Sequence, residues 1–517
     1  MDIQKEMMQY TMSVGKSRAI VSAESDLIVP DSKPDADRIV QTDTDINLNG
    51  FEVQSGRILV YGMAKFNILY CSPEGEIKNV KTEAAFTDVL EIPGTEQGDL
   101  ADVTCTLFKT DCRILNGRKL SVKSDINISA EVVRKEEAEV VLSIGEEAVE
   151  ERSRTVEYIK KNPLSIHEFN IKEQAEIASD LPQVLEILRC DGKISNKNMK
   201  VINNKVIVKA DLDITVLYLD EIEHKPCSAT VSLPFTEILE VDGITDEWIL
   251  LQDMRVSGTD CVASEDATGE KRILELETTV ESYSVTAEKY SVEVLSDCYG
   301  ISKHTETVKQ TFKLLKQTGE IKLQSGIKAK MQTDENYKIG RIYDVSANAH
   351  AEGIEKNENE LFVKGKTEIR LMYITESSEA EVGCIVSEVP FKEAVRNVSP
   401  DCEEAEISAT VSGLSYTLTG ENEVEVRGNL EISGILTKKQ DENFITAVSV
   451  SENEEKSKTA SVTVYFADAT DSLWDIAKKY ETSMDLICEA NGIKATDSLE
   501  NRKLIVPKYK IKKNATV

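Results

Sequence analysis

Period-two alternation of apolar and polar positions dominates this chain. It is clearest in RILVYGMAKFNILY ending at Tyr70, KVIVKADLDITVLY ending at Tyr218 and ELFVKGKTEIRLMY ending at Tyr373. Ile58, Val60, Ala64, Phe66, Ile68 and Tyr70 share one face of the first segment. Val206, Val208, Ala210, Leu212, Ile214, Val216 and Tyr218 do so in the second, and Leu361, Val363, Ile369, Leu371 and Tyr373 in the third. Successive side chains of a strand point to opposite faces, so each pattern predicts a half-buried β-strand. A small residue sits midway each time (Gly62, Ala210, Gly365), predicting a bend or bulge there.

The tyrosines are 148 and 155 residues apart, which makes these strands landmarks of an internal repeat. Pro34, Ile39 and Asp43 recur as Pro182, Ile187 and Asp191, and an aromatic follows each strand at Phe86, Phe235 and Phe391. Turn signals at Asn116-Gly117, Thr268-Gly269 and Gly420 each precede a further alternating run, predicting a hairpin. Units this long can own a core. The expected fold class is therefore mainly β: three tandem β-rich domains at 25–133, 159–290 and 300–450. Residues 1–24 are expected as a separate N-terminal segment, 134–158 as an exposed acidic connector and 451–458 as a polar linker. The recurring Tyr and Phe residues are expected in the cores rather than on a ligand.

The pattern changes after the linker. Val462, Val464 and Phe466 alternate, Leu473, Ile476, Ala477 and Tyr480 follow at helical spacing, and Leu504-Ile505-Val506 closes the module. Ser472 with Asp475, and Thr482 with Asp485, are candidate capping boxes, while Asn491-Gly492 is a helix stop. The order is strand, helix, helix, strand over 459–509, with a basic tail at 510–517.

Charge and chemistry narrow the functional classes. Lys plus Arg number 61 against 92 Asp plus Glu, a net charge of −31. Residues 459–517 carry +1, so the acidity lies in the body. Such a body repels phosphate backbones and anionic headgroups, so nucleic acid is not an expected partner. No run of about 18 apolar residues exists to span a membrane, so no direct membrane insertion is expected. The N-terminus has no apolar signal core, and a cytoplasmic protein is expected. The 10 cysteines include no Cys-x-x-Cys pair, and the 4 histidines lack zinc spacing. Phosphate-loop, dinucleotide and nucleophile-elbow motifs are missing. No catalytic residue, metal site or cofactor is expected. An enzyme hidden in the β-domains stays open only if a pocket gathers convergent polar groups.

Asp471-Ser472-Leu473-Trp474, Ile476-Ala477, Lys479-Tyr480, Asn491-Gly492-Ile493 and Leu504-Ile505-Val506-Pro507 resemble a LysM module, a βααβ domain that often binds N-acetylglucosamine glycans. Thr470 replaces the family's Gly, and Glu500-Asn501-Arg502 its Pro-Gly-Gln, in the two loops flanking the sugar groove. That puts glycan binding in question. Lys33-Pro34-Asp35, Ile39, Val60, Gly62 and Ile68-Leu69-Tyr70 resemble the SPOCS domain of sporulation proteins. Three such units plus LysM resemble the SipL-like spore coat morphogenetic proteins of clostridia. The resemblance implies a mother-cell cytoplasmic adaptor recruited to the forespore surface. Its implied partner is stage IV sporulation protein A, the ATPase of the coat basement layer, with further coat proteins as additional contacts. The expected docking residues on the LysM module are Asp471, Leu473, Trp474, Ile476, Asn491, Ile493 and Ile505. The alternative is a peptidoglycan- or chitin-type glycan-binding protein of cortex or wall.

Overall fold

The structure is a computed structural model that describes residues 2–146, 148–301, 303–333, 338–357, 360–376, 382–398, 401–452, 462–468 and 470–508. Most of the 451–458 linker and all of the 510–517 tail lie outside the described residues.

The first repeat contains β1 (Asp2–Ile28), β2 (Arg38–Gln54), β3 (Arg57–Cys71), β4 (Ile77–Glu91), β5 (Leu100–Asn116) and β6 (Lys119–Gly145). They form two antiparallel sheets, ordered β2-β3-β4 and β1-β6-β5. The sheets enclose Ile58, Val60, Phe66, Ile68 and Tyr70 from β3 against Leu120, Val122, Ile126 and Ile128 from β6. The second repeat follows with β7 (Val149–Lys161), β8 (Ser165–Glu176), β9 (Val184–Ile202), β10 (Lys205–Asp220), β11 (Pro226–Glu240), β12 (Ile249–Glu265) and β13 (Lys271–Gly300). The third has β14 (Lys303–Gln332), β15 (Ile339–Asn357), β16 (Glu360–Thr375), β17 (Val382–Val395), β18 (Glu404–Leu418) and β19 (Glu423–Glu452). β7 and β8 together replace the single long first strand of the other repeats. The break falls at Asn162-Pro163-Leu164, where proline has no N–H for the ladder.

The recurring landmarks explain one another. Gly62 pairs with Phe86, Ala210 with Phe235 and Gly365 with Phe391 across adjacent strands. A Cβ on Gly62 would lie 2.3 Å from the Phe86 ring, and one on Gly365 2.5 Å from Phe391. The small residue makes room for the aromatic opposite it. The expected bulge lies on the neighbouring strand: pairing slips between Leu48 and Gly50 on β2, and between Ala351 and Gly353 on β15. In the second repeat β9 slips opposite Ala210. Tyr70 and Tyr218 are buried and donate their hydroxyls to Pro34 O (2.9 Å) and Pro182 O (2.8 Å). The tyrosine and the proline are thus two halves of one contact.

Two segments expected outside the repeats are strands. Residues 2–12 pair with 134–145, extending β1 and β6 well beyond the sandwich. In the glutamate-rich 134–145 stretch Glu137 and Glu139 face solvent, while Ala138, Val140 and Val141 are buried. The alternation was present, but charge density hid it. β7 pairs with residues 287–300 of β13, and the first half of β14 with the last part of β19, giving three ribbons of the same kind. β6, β13 and β19 touch one another, and the ribbons close on Tyr10, Val140, Tyr158, Val294, Leu314 and Phe444. This is a shared stalk.

The sandwiches also meet in a ring: β4 touches β9, β11 touches β15 and β17 touches β2. Equivalent residues from all three repeats share one apolar cluster, Val40, Leu188 and Tyr343 with Leu69, Leu217 and Met372. The arrangement has approximate threefold symmetry. Two cations of the second repeat clamp it. Arg189, 6% exposed, meets Asp43 at 3.1 Å, Asp344 at 3.1 Å and its own Asp191. Lys161 meets Asp102 at 3.1 Å and Glu131 at 3.0 Å from the first repeat, and Glu406 at 2.5 Å from the third. In so acidic a chain these clamps hold acidic neighbours together.

The last module has β20 (Val462–Phe466), α1 (Leu473–Lys479), α2 (Met484–Asn491) and β21 (Lys503–Pro507). Ser472 caps α1 by accepting from Asp475 N, as its sequence predicts. The cap of α2 is Ser483, not Thr482; Ser483 accepts from Leu486 N at 3.2 Å. Thr482 is buried, and its hydroxyl donates to Pro507 O instead. Gly492 ends α2 at φ 62°, a left-handed conformation that suits glycine.

Candidate partner-binding face of the C-terminal module

The seven residues expected to dock a partner divide sharply. Leu473 and Ile476 are buried with Ile487, Leu499, Leu504 and Val506. Asp471 accepts from Tyr465 Oη (3.0 Å) and Asp468 N (2.8 Å), fixing the β20–α1 loop. Asn491 acts as a strand surrogate: its Nδ2 donates to Ile505 O and its Oδ1 accepts from Ile505 N, both at 2.7 Å. Ile493 is half-buried, and only Ile505 is substantially exposed.

Trp474 is 5% exposed because the stalk covers it. Its Nε1 donates to Asp297 Oδ2 at 2.9 Å, and its ring meets Tyr299 edge-on at 4.9 Å between centroids. Lys478 Nζ reaches both Asp297 oxygens at 2.6 and 2.7 Å. Tyr299 donates its hydroxyl to Thr482 O at 2.9 Å. Burial raises the Asp297 carboxyl, but the bonds from Lys478 and Trp474 outweigh it and hold the group below its ordinary range. The tip of β13 therefore seats the module on the second repeat's ribbon.

The open face lies on the other side. Val462, Val464 and Phe466 of β20 are 51%, 48% and 73% exposed. Val464 pairs with Ile505, and Phe466 with Lys503, whose ammonium stands 6.0 Å from the Phe466 ring centre. The alternation that defined β20 marks its outward side, while Leu504 and Val506 of β21 fill the core. Arg502, Lys503 and Lys508 are exposed beside this strip.

The β20–α1 loop and the loop before β21 are joined by backbone bonds, Ala467 N to Arg502 O (2.9 Å) and Asn501 N to Ala467 O (3.1 Å). Asn501 adopts φ 57°, a conformation glycine favours and asparagine tolerates. Substitution at that loop therefore keeps a left-handed turn.

The "SipL, SPOCS domain" family matches residues 35–115, 183–263 and 338–419, and the LysM domain family matches 469–507. The matched segments begin 148 and 155 residues apart, the spacing of the tyrosines. The chain is a SipL-like protein of three SPOCS domains and one LysM domain. SPOCS and LysM are non-catalytic domain families. No curated protein and no solved structure gives a match. In this SipL-like chain no group of three or more His, Cys, Asp or Glu among the described residues could hold a metal ion. No helix among them is long and apolar enough to cross a membrane. An open depression over β8, β12 and β13 gathers Lys172, Glu173, Asp260, Glu275 and Glu277 beside Val262, a set of surface charges.

Proposed function

We propose that this SipL-like chain is a non-enzymatic adaptor of spore coat assembly, acting in the mother cell at the forespore surface. Its LysM domain docks stage IV sporulation protein A, the basement-layer ATPase, and the SPOCS body offers surfaces to further coat proteins. The observation that carries the reading is the exposed strip of Val462, Val464, Phe466 and Ile505 on a module whose tryptophan is already seated on its own stalk. Exposed apolar side chains gathered on one small sheet, with cations beside them, suit a protein surface better than a sugar. The docking set is accordingly revised from Leu473, Trp474 and Ile476 to the β20–β21 face. Several surfaces on one rigid body also gain avidity once one of them is held on a polymer.

The second reading is glycan binding. It draws support from the LysM match and from Asn501, which keeps the turn of the groove loop. Binding of the full chain to immobilised stage IV sporulation protein A and to N-acetylglucosamine oligomers separates the two. The adaptor reading expects ATPase binding that Phe466→Asp reduces at least tenfold. Oligomer binding, unaffected by Phe466→Asp and without ATPase binding, would replace it with the second.

A further inference from the structure

The second SPOCS domain carries a pair of thiols at one register of its sandwich. β9 and β12 are edge strands of the two packed sheets, and their Cα atoms approach within 8 Å. Gly192 of β9 lies opposite Thr259 of β12, where an added Cβ would be 3.0 Å from the Thr259 hydroxyl. Two residues along in each direction, Cys190 and Cys261 face one another in the same core.

The first repeat checks this register. Thr44 and Thr110 occupy the positions of Gly192 and Thr259, and their hydroxyl oxygens are 2.8 Å apart. Thr42 and Cys112 occupy the positions of Cys190 and Cys261 and also face one another. The second repeat thus has two thiols where the first has a hydroxyl and a thiol.

We propose that Cys190 and Cys261 form an oxidation-driven disulfide that staples the two sheets of the second SPOCS domain. The oxidant is a peroxide. The Cys261 sulfur, as thiolate, attacks a peroxide oxygen; the O–O bond breaks, and hydroxide leaves and takes up the proton released from the thiol. The Cys190 thiol then attacks the sulfur of the Cys261 sulfenic acid, forming the S–S bond and releasing water. In sum, two thiols and one hydrogen peroxide give one disulfide and two waters. The thiols titrate as one coupled pair, so a single proton leaves first and the remaining thiol stabilises the thiolate beside it. Both residues are partly exposed, so a small oxidant reaches them. In a reducing cytoplasm the pair stays as thiols and the staple is open.

The test treats the full, natively folded chain with hydrogen peroxide, blocks the remaining thiols by alkylation, and maps peptides without reduction. The expected result is a linked pair of peptides containing Cys190 and Cys261, with the mass loss of two hydrogens, released by dithiothreitol. In Cys190→Ser, Cys261 is expected to stop at sulfenic acid and react with dimedone. Thr42→Cys is expected to add the corresponding link to Cys112. Recovery of Cys190 and Cys261 as alkylated thiols, or as sulfinic acids without a link, would overturn the proposal.

Discussion

Replacing Lys161 by Met keeps most of the side-chain volume and removes one charge from a site where three carboxylates converge. The Nζ contacts at 3.1, 3.0 and 2.5 Å come from Asp102, Glu131 and Glu406. At an effective dielectric near 20, one pair at about 3 Å has about 5 kcal/mol of Coulomb energy, most of it offset by desolvation. Removing one partner of a buried pair costs about 3–5 kcal/mol, because the other charge stays behind. Glu406 is about one-third exposed, so its share is screened, and about 3 kcal/mol is expected. With roughly 2.1 cal/mol/K per residue of unfolding entropy, that lowers Tm by about 3 °C if a body of about 450 residues melts as one unit. It lowers Tm by about 10 °C if only a repeat of about 150 residues melts. Differential scanning calorimetry reads both the shift and the size of the cooperative unit. An unchanged Tm in Lys161→Met would refute the ionic clamp.

Other perturbations test other parts of the account. Gly365→Ala places a Cβ 2.2 Å from His350 O and 2.5 Å from the Phe391 ring, and should cost about 1–3 kcal/mol in urea unfolding, whereas Lys364→Ala on the exposed side should cost little. Asp297→Ala removes the acceptor of Trp474 Nε1 and the anchor of Lys478; in a Trp248→Phe background, Trp474 emission should shift to the red and acrylamide quenching should rise. Asp45 stands exposed on β2, and the protein crowded around its carboxyl, with the charge of Asp43, pushes it up to about 6. Its folded pKa lies above the unfolded value near 3.9, so its contribution is fully present below about pH 4 and is lost as pH rises through about 6. Asp45→Asn should remove that part of the pH dependence between about pH 4 and 7, as read by thermal melts.

The repeat strands, their hairpins and the LysM order were legible because each rests on local signals. Tyr70, the small residue at Gly62 and Phe86 recur in each repeat in the same order with only turn length varying, and Ser472 and Gly492 mark helix ends within a few residues of what they cap. The stalk was not legible. Its strands carry Glu137 and Glu139 on the solvent side, with Glu136 half-buried between them and the core, and Tyr10 and Phe444 come from opposite ends of the body to cover Val140. The ring depends on Arg189 and Lys161, cations that reach carboxylates of the other two repeats. The burial of Trp474 was not legible, because a helical tryptophan on a small module suits a core and a binding face equally well. The residue that covers Trp474 with a hydrogen bond, Asp297, lies 177 positions earlier, beyond any local pattern. The alternation in β20 was read correctly as a strand, but alternation does not say which side meets the core; α1, α2 and Asn491 decide that.

The most direct measurement is amide hydrogen exchange of the full chain with and without stage IV sporulation protein A. The account predicts new protection at residues 462–466 and 503–507 and unchanged exchange where Trp474 and Lys478 meet Asp297 and Tyr299. Protection confined to the SPOCS strands, or loosening of the Trp474 seat on binding, would contradict it.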